Sequence, residues 1–139
     1  MARRLPVFAA ALWWGSLTAI GFMAVPLLFK FLPTPALAGN MAARLFTAQT
    51  WLSVACGVAL LLATKGAAVA GAGRARATLF AVVLGMLLAL LIEFAVAPRI
   101  VARENLRLWH GAGSVMYAVQ WLCSAVVLWR ITAEPREPS

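Results

Sequence analysis

Four long apolar runs, rather than any motif, set the limits on what this chain can fold into. They cover about 5–32, 42–64, 77–98 and 108–129, and each reaches the roughly 20 helical residues that cross a bilayer. An open strand edge finds no hydrogen-bond partner in lipid. The runs also lack the period-2 alternation of a barrel, so each predicts a helix. The expected fold is all-α: an integral membrane four-helix bundle, antiparallel and up-down-up-down, forming one domain over 1–132. Pro26 predicts a kink in the first helix, because it lacks an N–H and its ring meets the carbonyl of Phe22. Pro33 and Pro35 then turn the chain into the second helix. Lys65 to Arg74 is a Gly/Ala-rich connector, and 133–139 reads as a disordered polar tail.

Composition closes off other classes. With 64% hydrophobic and 12% charged residues, the chain is no water-soluble globular enzyme, disordered segment or disulfide-stapled module. The net charge of +8 does not signal a nucleic-acid partner. Its basic residues stand singly or in short groups at the ends of the apolar runs, where they anchor helices at headgroups, and no continuous basic stripe exists. Arg3 and Arg4 ahead of the first run look like a signal n-region. That run is longer than the h-region of about 7–15 residues and holds Trp13, Trp14 and Pro26, so a retained span is expected. Alternation of spans puts Arg3, Arg4, Lys65, Arg74, Arg76, Arg130 and Arg136 on the side of the termini. Lys30, Arg44, Arg99, Arg103 and Arg107 fall on the other, so the charge bias predicts cytoplasmic termini.

Small residues suggest contact faces. Ala11, Gly15 and Ala19 repeat on the first helix, and Gly85 and Ala89 on the third, as in small-xxx-small rows.

The rare polar residues carry the functional question. A charge in hydrocarbon costs about 2.5–3.5 kcal/mol on insertion scales, so each needs a reason. Glu93 has only apolar neighbours within a turn, so its partner comes from another helix or it stays neutral. Alternation places Lys30, Arg44, Gln49, Glu93, Arg99 and His110 near one membrane face. Arg44 is the expected partner of Glu93, with His110 next. At helical spacing, His110, Ser114, Tyr117, Trp121 and Ser124 form one polar stripe, and Gln49, Ser53 and Cys56 another. Each is expected to face the interior. A buried ion pair that only fixes helix register remains the plain alternative.

Other chemistry is scarce. A single histidine excludes a bis-His haem or a multi-His metal site, and Cys56 and Cys123 read as buried inert thiols. The chain has no phosphate-cradling Gly loop, no HExxH, no nucleophile elbow and no Asp. A triad of Glu93, His110 and Ser114 is conceivable only in outline, so no catalytic residue, metal or cofactor is assigned and enzyme activity is not expected.

The segment LWWGSLTAIGFMAVPLLFKFLP from Leu12, followed by AGNMAARLF from Ala38, carries a family likeness. With Pro98 to Arg103 and the Trp109–His110 start of the last helix, it resembles bacterial members of the transmembrane-protein-205-like family, which carry domain of unknown function 4149. The resemblance implies a four-helix protein of the bacterial inner membrane and no particular activity. More distantly the chain looks related to the copper-resistance protein D group and to haem-dependent protoporphyrinogen oxidases. Those haem proteins place a His in the first helix, where this chain has Phe8 to Ala11, so haem is not carried over.

The expectation is therefore a protein that binds or moves a small molecule or ion through a polar pocket near the periplasmic face. Glu93, Arg44, His110, Lys30, Gln49, Arg99, Ser114 and Tyr117 are its candidate lining. Its partners are the lipid bilayer, the unidentified solute and a second copy in a homo-oligomer. The alternatives are a structural or partner-binding membrane module and a metal- or haem-handling protein.

Overall fold

The computed structural model describes residues 4–69 and 73–133, without the side chains of 66–69. The middle of the expected connector and the tail beyond Ala133 lie outside the described residues. Four helices account for the rest: α1 Leu5–Phe31, α2 Pro35–Val69, α3 Gly73–Val101 and α4 Leu106–Thr132. All are long and apolar enough to cross a membrane, and no strand occurs among the described residues. The chain is a small, all-α, multi-pass integral membrane protein.

The helices overrun the apolar runs for local reasons. α2 begins at Pro35 rather than near Ala42, because proline fits the first helical position, where an N–H has no partner to lose. Thr34 assists by accepting the Leu37 N–H at 3.2 Å. α1 stops at Phe31 because Leu32 precedes Pro33 and takes the extended backbone that position favours, φ −78° and ψ 146°. α3 runs past Pro98 to Val101 and ends in a Schellman pattern. There Glu104 N–H donates to Arg99 O at 3.0 Å and Arg103 N–H to Ile100 O at 3.1 Å. Arg103 takes the left-handed position, φ 57°, that glycine usually fills. Asn105 then opens α4, its side chain accepting the Leu108 N–H.

α1 and α3 share an irregularity. Each widens into a π-turn, Ala19–Ala24 and Ile92–Val96, just ahead of a proline, Pro26 and Pro98. The Val25 N–H reaches back to Ile20 O and the Ala97 N–H to Ile92 O, one residue further than in an α-helix. Proline has no N–H for the carbonyl four residues back, and its ring crowds that carbonyl. The wide turn absorbs both defects.

Each helix packs against the next, and α1 packs against α4 to close the set. The core holds Ala10, Trp13, Leu17, Leu60, Val82 and Val127. Gly85 makes room for the buried Trp13 ring: a Cβ there would stand 2.7 Å from Trp13 Cη2. Gly85 and Ala89 thus form a buried face, as their spacing suggested. The α1 row does not. Ala11 and Ala19 are exposed, and nothing lies within 4 Å of a Cβ built on Gly15. α1 turns Ala10, Trp13 and Leu17 inward instead, because the indole seated against Gly85 makes far more packing contact than a glycine stripe does.

Polarity is inverted relative to a water-soluble bundle. Phe8, Phe80 and Trp129 are 69%, 69% and 74% exposed, while Gln49, Ser53, Gln120 and Ser124 are buried. Apolar surface outward and polar groups paired inward suits a lipid surround.

Candidate functional site

Glu93 lies inside the α3 π-turn, half-buried. Its partner is Thr47 on α2, whose hydroxyl stands 2.9 Å from Glu93 Oε1 and 3.1 Å from Oε2. This corrects the expectation of Arg44. Arg44 is exposed, one turn ahead of Thr47 on α2, and among the described residues the one ion pair joins Arg99 to Glu104 at 3.5 Å. The physical reason is reach. A long cation near a helix end snorkels toward the headgroups and keeps its hydration, whereas a short hydroxyl already inside the interface donates without desolvating a charge.

Deeper along α2 lies a second polar group. Gln49 Nε2 donates to Ser16 Oγ on α1 at 3.0 Å and to Ser53 Oγ at 3.2 Å. Gln120 Nε2, from α4, donates to the same Ser53 Oγ at 3.0 Å, and Ser53 passes its own proton to Gln49 O at 2.8 Å. Three helices are therefore joined through the Gln49–Ser53 pair, α1 by Gln49 and α4 by Ser53. Gln49 and Gln120 are each only 2% exposed, and Gln49 Oε1 is buried without a hydrogen-bond donor. An unmatched buried acceptor costs about 1–3 kcal/mol, so this atom calls for an explanation.

A third group ties α1 to α4. Tyr117 Oη donates to Leu17 O at 2.8 Å, and its ring lies where a Cβ on Gly21 would be. Gly21 sits in the α1 π-turn, so glycine is required there by close approach rather than by backbone angle. Trp121 Nε1 donates to Thr18 Oγ1 at 2.9 Å, and the Phe46 ring meets Tyr117 edge-on with centroids 5.4 Å apart.

The remaining candidates stay outside these groups. Lys30 is exposed, with Nζ 5.3 Å from the Phe31 ring centroid. Arg99 lies over the Trp109 ring at 4.6 Å besides pairing with Glu104. His110 and Ser114 are exposed, and Ser114 Oγ donates to His110 O at 2.8 Å, so neither reaches the interior. The α4 stripe turns inward from Tyr117 onward, where Tyr117 and Trp121 bond to α1 and Ser124 is buried. An α-helix drifts relative to a straight line, so its first turns present a different face from its last. Sequence reasoning missed Thr47, Ser16 and Gln120. Gln120 alone gave a signal, a primary amide in mid-run.

Two open grooves lie elsewhere. One, of about 670 Å³, follows the start of α4 past Arg107, Leu108, Gly111 and Val115. The other, of about 300 Å³, runs between α1 and α2 past Leu12, Leu52 and Cys56. Neither is lined by Glu93. Among the described residues, no group of three or more His, Cys, Asp or Glu side chains gathers as a metal site would need.

In comparison with known proteins, the family model for a domain of unknown function, DUF4149, matches residues 8–108. No curated protein and no solved structure matches the chain.

Proposed function

The chain belongs to the DUF4149 family, and from that premise we propose that its bundle binds or moves a small ion or molecule, with Glu93 as the charged group of a polar pocket near the periplasmic face. One observation carries this. A carboxylate offers about four acceptor positions, and Glu93 at membrane depth receives a single side-chain donor, the Thr47 hydroxyl. Capacity left open on a carboxylate in low dielectric favours a cation or a strong donor. The π-turn beneath it points the same way, since such turns are frequent at functional sites. Gln49 and Tyr117 form the hydrogen-bonding wall of this pocket. Lys30, Arg44, Arg99, His110 and Ser114 form its outer rim.

The membrane arrangement belongs to the same proposal. It is an antiparallel, up-down-up-down domain over 1–132 of the bacterial inner membrane, with both termini and the 133–139 tail cytoplasmic. Contacts between Ser16 and Gln49, and between Leu12 and Cys56 in one groove, favour opposite directions for α1 and α2. The π-turn before Pro26 favours a bend in α1. The charge bias favours the orientation. A second reading, a module in which polar groups only lock helices together, draws on the network that Gln49 and Ser53 make across three helices.

Thermal unfolding of the detergent-purified protein in sodium, potassium and ammonium chloride separates the two. A pocket predicts a cation-dependent rise in Tm that Glu93→Gln abolishes. Identical cation responses in the wild type and Glu93→Gln refute it.

A further inference from the structure

Two pairs of residues recur at matching spacing in the halves of the chain. Phe22–Pro26 in α1 corresponds to Phe94–Pro98 in α3, with three residues between in each case. Gln49–Ser53 in α2 corresponds to Gln120–Ser124 in α4, again with three between, and each pair stands roughly 70 residues from its counterpart. The structure adds shared geometry to shared letters. Both Phe–Pro segments carry a π-turn, and all four Gln and Ser side chains are buried. At the same register Phe46 of α2 corresponds to Tyr117 of α4, and the two rings touch. Equivalent residues meeting each other is what a two-fold relation between two-helix units produces. Membrane proteins built from such units place their solute sites at the interface between the units, beside the interrupted helices.

From this we infer that α1–α2 and α3–α4 are repeats, and that Gln49 and Gln120, with Ser16 and Ser53, form one interior site for a small N–H donor cation of the ammonium or primary amine class. The inference rests on Glu93 being the charged group proposed above. The repeats differ where function would require it. Gly21, covered by Tyr117, stands in α1 where Glu93 stands in α3, so a single carboxylate serves the pair. The amides differ too. Both donate to Ser53, which leaves Gln49 Oε1 as the buried acceptor without a donor. A carboxylate selects positive charge, and an unmatched amide oxygen selects a donor hydrogen. A cation bearing N–H groups meets these demands in turn, the carboxyl nearer the membrane face and the amide oxygen at the deeper site.

The test compares ammonium chloride, methylammonium chloride, tetramethylammonium chloride and sodium chloride at equal ionic strength, reading Tm of the purified full chain. Ammonium and methylammonium raise Tm by a few degrees over sodium, and tetramethylammonium, equally charged but without an N–H, does not. Gln49→Met, which removes the acceptor and keeps the bulk, loses the ammonium increment. Gly15→Ala, whose added methyl meets nothing within 4 Å and which belongs to no site, keeps it. Equal responses to ammonium and tetramethylammonium in the wild type overturn the inference whether or not any variant folds. So does a Gln49→Met response equal to the wild type. If Glu93→Gln abolishes cation responses in either case, the pocket survives without the donor site. If Glu93→Gln changes nothing, the pocket itself falls.

Discussion

Gly15 and Gly85 look alike in the sequence, each one member of a small-residue row in an apolar run, and the fold treats them oppositely. A methyl at Gly85 would enter the space of the buried Trp13 ring, whose neighbours leave it nowhere to move, whereas a methyl at Gly15 meets nothing within 4 Å. Gly85→Ala should therefore destabilise the bundle by about 1–3 kcal/mol, the usual penalty for overpacking a core. Gly15→Ala should be neutral or slightly stabilising through helix propensity. Unfolding midpoints of the two variants in one detergent check the contrast, and equal effects would contradict the packing described. The same limit explains the candidate site. Glu93 was legible because a carboxylate in an apolar run is conspicuous. Thr47 was not, because a threonine costs little in lipid and can satisfy itself on its own backbone, so nothing in the sequence marks it as a partner.

Helices were the most legible elements, since their apolar runs can form nothing else in lipid. Their ends were less so. Pro35 and Ala67–Ala68 extend α2 beyond its apolar stretch by capping and propensity, which act independently of hydropathy. The π-turns were hidden as well: Pro26 announced a disturbance, but slipping the hydrogen-bond ladder by one residue is one of several ways to absorb it. Arg103 offers a test at this scale. It closes the Schellman pattern after α3 in a left-handed conformation that costs a side-chain-bearing residue about 1–2 kcal/mol. Arg103→Gly relieves that cost but gives the unfolded chain more entropy to lose, which offsets part of the gain, so a stabilisation of about 0.5–1 kcal/mol is expected by chemical denaturation. A loss of stability would show that the arginine side chain matters more than its backbone angle.

Across the whole molecule, polar groups lie in three tiers that link different helices: Glu93 with Thr47, the glutamines with Ser53, and Tyr117 with Leu17. Only the first holds a carboxyl with open acceptor capacity, so access to Glu93 decides between a pocket and a lock. The direct measurement uses the chain with Cys56 and Cys123 replaced by alanine and a single cysteine introduced at position 93 or position 34. Intact cells are treated with a membrane-impermeant thiol reagent. Thr34→Cys, in the α1–α2 linker, should react from the periplasmic side and so fix the orientation. Glu93→Cys should react from the same side, more slowly. No reaction at position 93, with position 34 fully reactive, would contradict the account and leave the polar tiers as internal bracing.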